Sequence, residues 1–238
     1  MADQSGLPLE GVRIVALEQA VSAPICTRVL ADLGATVIKV ENPGGGDFAR
    51  HYDDVVKGQA AHFVWCNRGK QSITLNLKSD AGLEVLHRLL ESADVLVANL
   101  APGATGRMGL TPDELARRHP DLISVEIDGY GPGGPLSHKR AYDLLAQAES
   151  GACAITGSPG APAKPGPPMA DVSSGLFSAI SILSLLLRST YEDGSAMTRQ
   201  EMGDELYEHL KDKNPLFLGV LKGSFIFMAD IVRACQLK

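Results

Sequence analysis

The turn after the first β-branched run, EQAVSAP at 18–24, contains no glycine. A dinucleotide site needs glycines there, because only they let the backbone approach a pyrophosphate closely. The surrounding pattern otherwise invites that reading, with a run at 12–17, a helical stretch, a second run and the acidic Glu41. The GGG at 44–46 follows the second run, where that fingerprint does not place it, so a nicotinamide site fails its main test. Cysteine is also scarce: Cys26, Cys66, Cys153 and Cys235 lie far apart and form no CxxC. Zinc spacing is absent, no disulfide framework is expected in a chain of this size, and a reduced, cytoplasmic protein follows. Aromatics make up only 5%, so the core must rest on Leu, Val, Ile and Ala. Basic charge is not in excess: the net charge is −6 and the pI about 5.5. Nucleic acid and anionic membranes are therefore not expected as partners, although local basic patches can still hold an anionic small ligand. The opening MADQSGLPLEG has neither a basic nor an apolar region, so no signal peptide is read. The most apolar run, Leu176 to Leu187, is about one third shorter than a membrane span and is read as a buried helix. There is no GxSxG elbow and no HxxxH, so neither a Ser/His/Asp hydrolase nor a metal centre is supported. His51, His62, His87, His119 and His209 read as surface or satisfied core residues, and His138 sits in a polar loop.

What is present is regular alternation. VRIVAL (12–17), TVIKVE (36–41), SITLNL (72–77), DVLVAN (94–99) and LISVEI (122–127) read as strands, with helices expected at 24–33, 79–92 and 112–118. Strand–helix–strand repetition implies βαβ units, and hence an α/β fold with a mostly parallel, Rossmann-like sheet flanked by helices. In the first unit Ser22 is expected as N-cap, Pro24 near the first turn and Gly34 as terminator. Thr111, Pro112 and Glu114 form a capping-box signature. GSPGAPAKPGPP (157–168) is too rich in Pro and Gly for helix or central strand and reads as a loop. STYEDGS (189–195) is a second break, after which the texture changes.

Two carboxylates are placed suggestively. Asp171 follows the Pro/Gly loop and precedes an apolar helix, and Asp143 in RAYDLLAQ opens another. Each fits an N-cap, and each fits a carboxylate kept ionised by helix amides and available for chemistry. Composition does not choose between these.

A resemblance bears on the choice. PLEGVRIVALEQAVSAPICTRVLADLGATVIKVENPGGGD (8–47), NRGKQSITLNLKSDAGLEVLHRLLESADVLVANLAPGATGRMGL (67–110), GYGPGGP (129–135), AYDLLAQAESGACAITG (141–157) and PPMADVSSG (167–175) resemble family III CoA-transferases, in that family's order over about 180 residues. The group includes formyl-CoA:oxalate and carnitine CoA-transferases and the α-methylacyl-CoA racemases. The resemblance implies a CoA-binding domain over 1–188, with acyl-CoA and a carboxylic acid acceptor as substrates and no metal or redox cofactor. It implies Asp171 as the nucleophile that forms an aspartyl anhydride and then an aspartyl-CoA thioester. Asp143 matches an acidic position that serves as acid/base in the racemases. Lys70, Asn99, Pro102, Gly103, Arg107 and Arg140 match the CoA side, Lys70 and Arg107 as anchors for phosphates and adenine. A contact glutamine of the family falls on Val21, with Gln19 two residues earlier, and Asn42 stands where formyl-CoA transferases carry arginine. The racemase-type histidine has no match, which favours transferase over racemase.

The family continues with a smaller domain and forms interlocked homodimers, whereas this chain reads as truncated relative to it. After a linker at 189–196, MTRQEMGDELYEHLKDKNPLFLGVLKGSFIFMADIVRACQLK (197–238) resembles the start of hypoxanthine phosphoribosyltransferases, with Lys222 and Gly223 at a pyrophosphate-contact turn. The juxtaposition reads as a short foreign α/β tail in a fusion. Two function classes follow: a CoA-transferase, or a catalytically inactive CoA-binding fragment. A racemase-like acid/base enzyme stands beside the inactive fragment as an alternative, and a partial purine phosphoribosyltransferase ranks below them.

Overall fold

All five β-branched runs become strands of one parallel sheet. In the computed structural model, which describes residues 6–189, these are β1 (Arg13–Leu17), β2 (Thr36–Glu41), β3 (Gln71–Thr74), β4 (Val95–Ala98) and β5 (Ile123–Glu126). Their order is β3-β2-β1-β4-β5. The helices are α1 (Ser22–Asp32), α2 (Ala61–Asn67), α3 (Asp80–Leu90), α4 (Ala104–Arg107), α5 (Pro112–Arg118), α6 (Asp143–Glu149), α7 (Ala152–Thr156) and α8 (Met169–Ser189). Phe48–His51 adds one 3-10 turn. The phosphoribosyltransferase-like reading of 197–238, and the expected linker beyond Ser189, lie outside the described residues. The chain divides into two compact units, Met1–Ile182 and Leu183–Lys238, and the sheet belongs to the first.

The chain runs outward from β1 to β3 and then crosses back to place β4 on the other side of β1. That reversal leaves a crevice at the carboxyl ends of the strands, where open α/β sheets bind their ligands. Both faces of β1 are buried, as a central parallel strand requires. Val15 and Leu17 join Leu86 and Leu90 of α3 and Leu115 of α5 in one core. Alternation sends Ile14 and Ala16 to the other face.

Punctuation follows the sequence with one exception. Thr111 and Glu114 form the full capping box, and Gly34 ends α1 at φ +108°, a conformation that other residues adopt only under strain. Ser22 is not an N-cap: Val21 holds that position without a side-chain cap, and the Ser22 hydroxyl instead accepts from Asn99 Nδ2 at 2.9 Å.

The expectation of a buried helix at 176–187 is corrected. Within α8, Gly175, Ala179 and Ile182 are buried, but Leu176 and Ile180 are 42% and 50% exposed. These three buried positions form a single stripe at helical spacing, too narrow to cover the remaining leucines. Gly175 makes that stripe fit. A Cβ there would collide with the Ser22 carbonyl and stand 3.2 Å from the Cys26 amide, so α8 crosses α1 in near backbone contact. The helix starts at Met169, before the apolar run, and Met169–Leu187 has the length and composition of a membrane span, at a mean hydropathy of 1.7. Such a helix also occurs in the cores of soluble folds.

Candidate active site

The crevice contains a cavity of about 610 Å³. Leu17 at the end of β1 and Gln19 after it, Asn42 and Gly46 after β2, Lys78 after β3 and Arg107 in α4 all contribute to its lining. Gly46, at φ +73°, closes the GGG turn under the Glu41 carboxylate, where a side chain would not fit. The turn thus belongs to the site, though not as a dinucleotide fingerprint. A second opening of about 740 Å³ between α3 and α5 shares Asp80, Leu83 and Met108 with the first. His87 lines it and stacks on His119 with rings 10° apart and a 3.3 Å nitrogen–nitrogen contact, both histidines being buried.

Beneath the cavity lies a buried ion network. Lys39 Nζ donates to Asp47 Oδ2 at 2.7 Å and to Glu18 Oε1 at 3.4 Å, with all three side chains 0–1% exposed. Lys70 Nζ donates to the same Glu18 oxygen at 2.6 Å and also to the Pro24 carbonyl and the Asn67 side chain. Burial opposes the Glu18 charge, but Lys70 and Lys39 outweigh it and hold the carboxyl below its ordinary value. Lys70, expected to anchor CoA, is therefore only 2% exposed and committed to Glu18. Sequence cannot show a pairing across fifty residues. Lys78, which carries a cation into the cavity, was missed. Its signal was its place just past β3, at the same carboxyl end of the sheet as Arg107.

The network also fixes the loop after β1. Asp47 Oδ1 accepts from the Ala20 amide at 3.1 Å, and Ala20 sits at φ +62°, strained for a residue with a Cβ. Asn99 grips Gln19 from both sides, accepting from its amide and donating to its carbonyl at 2.8 Å each. Asn99 thus shapes the loop that lines the cavity. Glu41 is fully engaged: Arg50 binds both oxygens at 2.7 Å and Ser72 donates at 2.6 Å. Burial opposes its ionisation, yet these bonds bring the carboxyl to about 2. It has no oxygen free for a ribose.

Asp171 and Asp143 meet at the start of α8. Asp143 Oδ1 accepts from the amides of Ala170 at 2.9 Å and of Asp171 at 3.4 Å, while Gln147 donates to Oδ2 at 2.7 Å. The cap of α8 is therefore supplied by Asp143 from another helix, with Asp171 in the first turn. Burial, and then the Asp143 charge, push Asp171 from 3.8 up to about 6. Val172 packs against the cluster of Val21, Ile25 and Cys66, beside Ala20. Burial first, and then the charges of Asp47 and Asp171, raise the Tyr52 phenol, so both carboxylates act on the same hydroxyl. Asp171 itself does not line the cavity; its neighbour Val172 packs beside Ala20, the residue after the lining Gln19.

Of the expected CoA-side residues, Gln19 and Arg107 line the cavity, while Val21 and Lys70 are buried away from it. Pro102 and Gly103 sit between the lining residues Ala101 and Ala104, with Gly103 as N-cap of α4. Arg140 and His138 lie in an exposed segment before α6. Among the described residues, no group of three His, Cys, Asp or Glu side chains could hold a metal.

The sequence model of CoA-transferase family III matches residues 9–200. The chain belongs to CoA-transferase family III. It is 41% identical over 192 residues to the succinyl-CoA:glutarate CoA-transferase of Mus musculus, covering 80% of this chain and 44% of that one. It is 39% identical over 181 residues to the acetyl-CoA:oxalate CoA-transferase of Acetobacter aceti, covering 75% and 46%. The chain thus spans about half the length of these family members. Among solved structures, a CAIB/BAIF family protein from Brucella suis superposes with a TM-score of 0.72 at 38% identity, over 77% of this chain and 50% of that one. A hypothetical protein from Mycobacterium tuberculosis gives 0.73 at 35% identity, over 80% and 53%.

Proposed function

We propose that this chain carries the CoA-binding region and the nucleophile of an enzyme that moves CoA between carboxylic acids. The observation that carries the reading is Asp171, which is half-buried and relieved of capping duty by Asp143, while its neighbour Val172 packs against the loop that borders a cavity lined by Arg107 and Lys78. Arg107 and Lys78, rather than Lys70, take the CoA phosphates, and Gln19 with the Asn99-held loop borders the thioester arm. Asp143 acts through backbone amides, since both its oxygens are engaged, so it is not free as a proton carrier.

The chemistry needs no external acid, base or metal. An Asp171 oxygen attacks the thioester carbonyl and the C–S bond breaks, giving an aspartyl–acyl anhydride and CoA thiolate. The thiolate attacks the aspartyl carbonyl and expels the donor acid as carboxylate, leaving an aspartyl-CoA thioester. The acceptor carboxylate displaces the thiolate, which then attacks the acceptor acyl carbon and releases Asp171. A carboxylate suits both directions, because it is a competent nucleophile and a good leaving group from an anhydride. Acyl-CoA and a carboxylic acid are accordingly the proposed partners, with a homo-oligomer in a reducing, cytoplasmic setting as the working form.

The test is CoA titration by calorimetry with acyl exchange alongside. Arg107→Ala should weaken CoA binding roughly tenfold, the effect of one lost charge-assisted phosphate contact. Lys70→Ala should instead lower thermal stability, because it strips Glu18 of a buried partner. Undiminished CoA affinity in Arg107→Ala, or no CoA binding by the chain, would count against the reading.

A further inference from the structure

If CoA moves between acids, the site must admit a second carboxylate. This requirement rests on the transferase reading. Asp171 and Asp143 already place two carboxylates at the start of α8, and a third at close range loses affinity on the order of a hundredfold per like-charge neighbour in partly desolvated surroundings. A cation has to offset this. Among the described residues, Lys164 is the one cation ion-paired with Asp143.

Lys164 sits on the Pro/Gly loop between α7 and α8, and the loop is fastened on both sides of it. Ser158 and Ala161 exchange backbone hydrogen bonds at 3.1 and 2.8 Å, and the Ala163 amide donates to the Cys153 carbonyl at 3.0 Å. A Cβ on Gly157 would collide with the Ala161 carbonyl, so the turn closes on itself. Beyond Lys164, Ala170 is held by Asp143. The ammonium donates to the Pro165 carbonyl at 2.8 Å and to the Gly166 carbonyl at 3.2 Å. Two of its three N–H groups are thereby used. The third is not spent on Asp143, whose Oδ2 is 3.8 Å away, beyond hydrogen-bond range, and already accepts from Gln147. The side chain is 34% exposed.

We propose that Lys164 binds the free carboxylate of the acid substrate, holding a small aliphatic acid next to Asp171 through its unspent N–H. Its charge selects a carboxylate over a neutral isostere, and the pinned loop sets where that carboxylate rests. Lys164 touches the acid and not CoA, so its loss separates the two affinities.

The experiment titrates the full chain with glutarate as probe, and with glutaramide as the neutral control, while following the amide resonances of Ala170 and Asp171. Glutarate should give a saturable shift that glutaramide does not. Lys164→Met should weaken it at least tenfold, and Lys164→Arg should restore it to within about threefold. CoA affinity should stay within twofold in both variants, which also reports that they are folded. Equal glutarate affinity in Lys164→Met, equal response to glutaramide, or no saturable shift in the unaltered chain each overturns the proposal. Glutarate binding that survives while CoA fails to bind sinks the transferase reading and leaves the acid site standing. The converse sinks the acid site alone.

Discussion

Burial and the adjacent Asp143 charge push Asp171 from 3.8 to about 6, and the shift has a testable sign. The folded state holds this proton more tightly than the unfolded chain, so its contribution to stability is fully present below pH 3.8. It is lost as pH rises through about 6. Asp171→Asn should therefore stabilise the protein near pH 8 by about 1–2 kcal/mol after allowance for solvent screening, with the gain vanishing below about pH 4. Thermal unfolding of both proteins at the two pH values checks this, and the same mutant-to-parent difference at both would contradict it. Asp143→Asn should lower the pH at which Asp171 ionises, because the charge next to it disappears. Gln147 can accommodate the change, since its Oε1 has no partner and can accept from the new amide once the side chain flips. Sequence placed Asp171 and Asp143 at helix starts, because loop and helix signals are local. It could not show that one caps the helix of the other across 27 residues, nor that Lys70 is spent on Glu18.

At the scale of elements, strands and helices were legible because their periods are strong: β-branched runs of four to six residues, and caps such as Thr111 with Glu114. The burial of α8 was not, because an apolar run records composition and not how much of the helix meets a neighbour. Its contact with α1 depends on the absence of one side chain. Gly175→Ala should destabilise by about 2 kcal/mol despite its better helix propensity, since the new Cβ meets the Ser22 backbone and not a yielding side chain. A denaturant midpoint that rises instead would show that the two helices can separate without cost. Breaking the ion network under the cavity should cost more. Lys39→Met leaves Glu18 short of one partner and Asp47 without its lysine, for a loss of about 3–5 kcal/mol. Urea denaturation measures it.

At the largest scale, a parallel sheet whose switch-point crevice is lined by two cations is joined by a helix that carries Asp171 in its first turn. The family was legible in the sequence because order and spacing held over most of the chain, whereas the division of labour among lysines was not. The chain covers about half of its curated relatives, so the decisive question is whether this portion performs the first half-reaction. Brief incubation with acyl-CoA, then hydroxylamine, followed by peptide mass spectrometry, answers it most directly. A hydroxamate confined to the Asp171 peptide, absent in Asp171→Ala, is the expected result. An unmodified Asp171 peptide in a chain that demonstrably binds CoA, or modification that persists in Asp171→Ala, would contradict its role as the nucleophile.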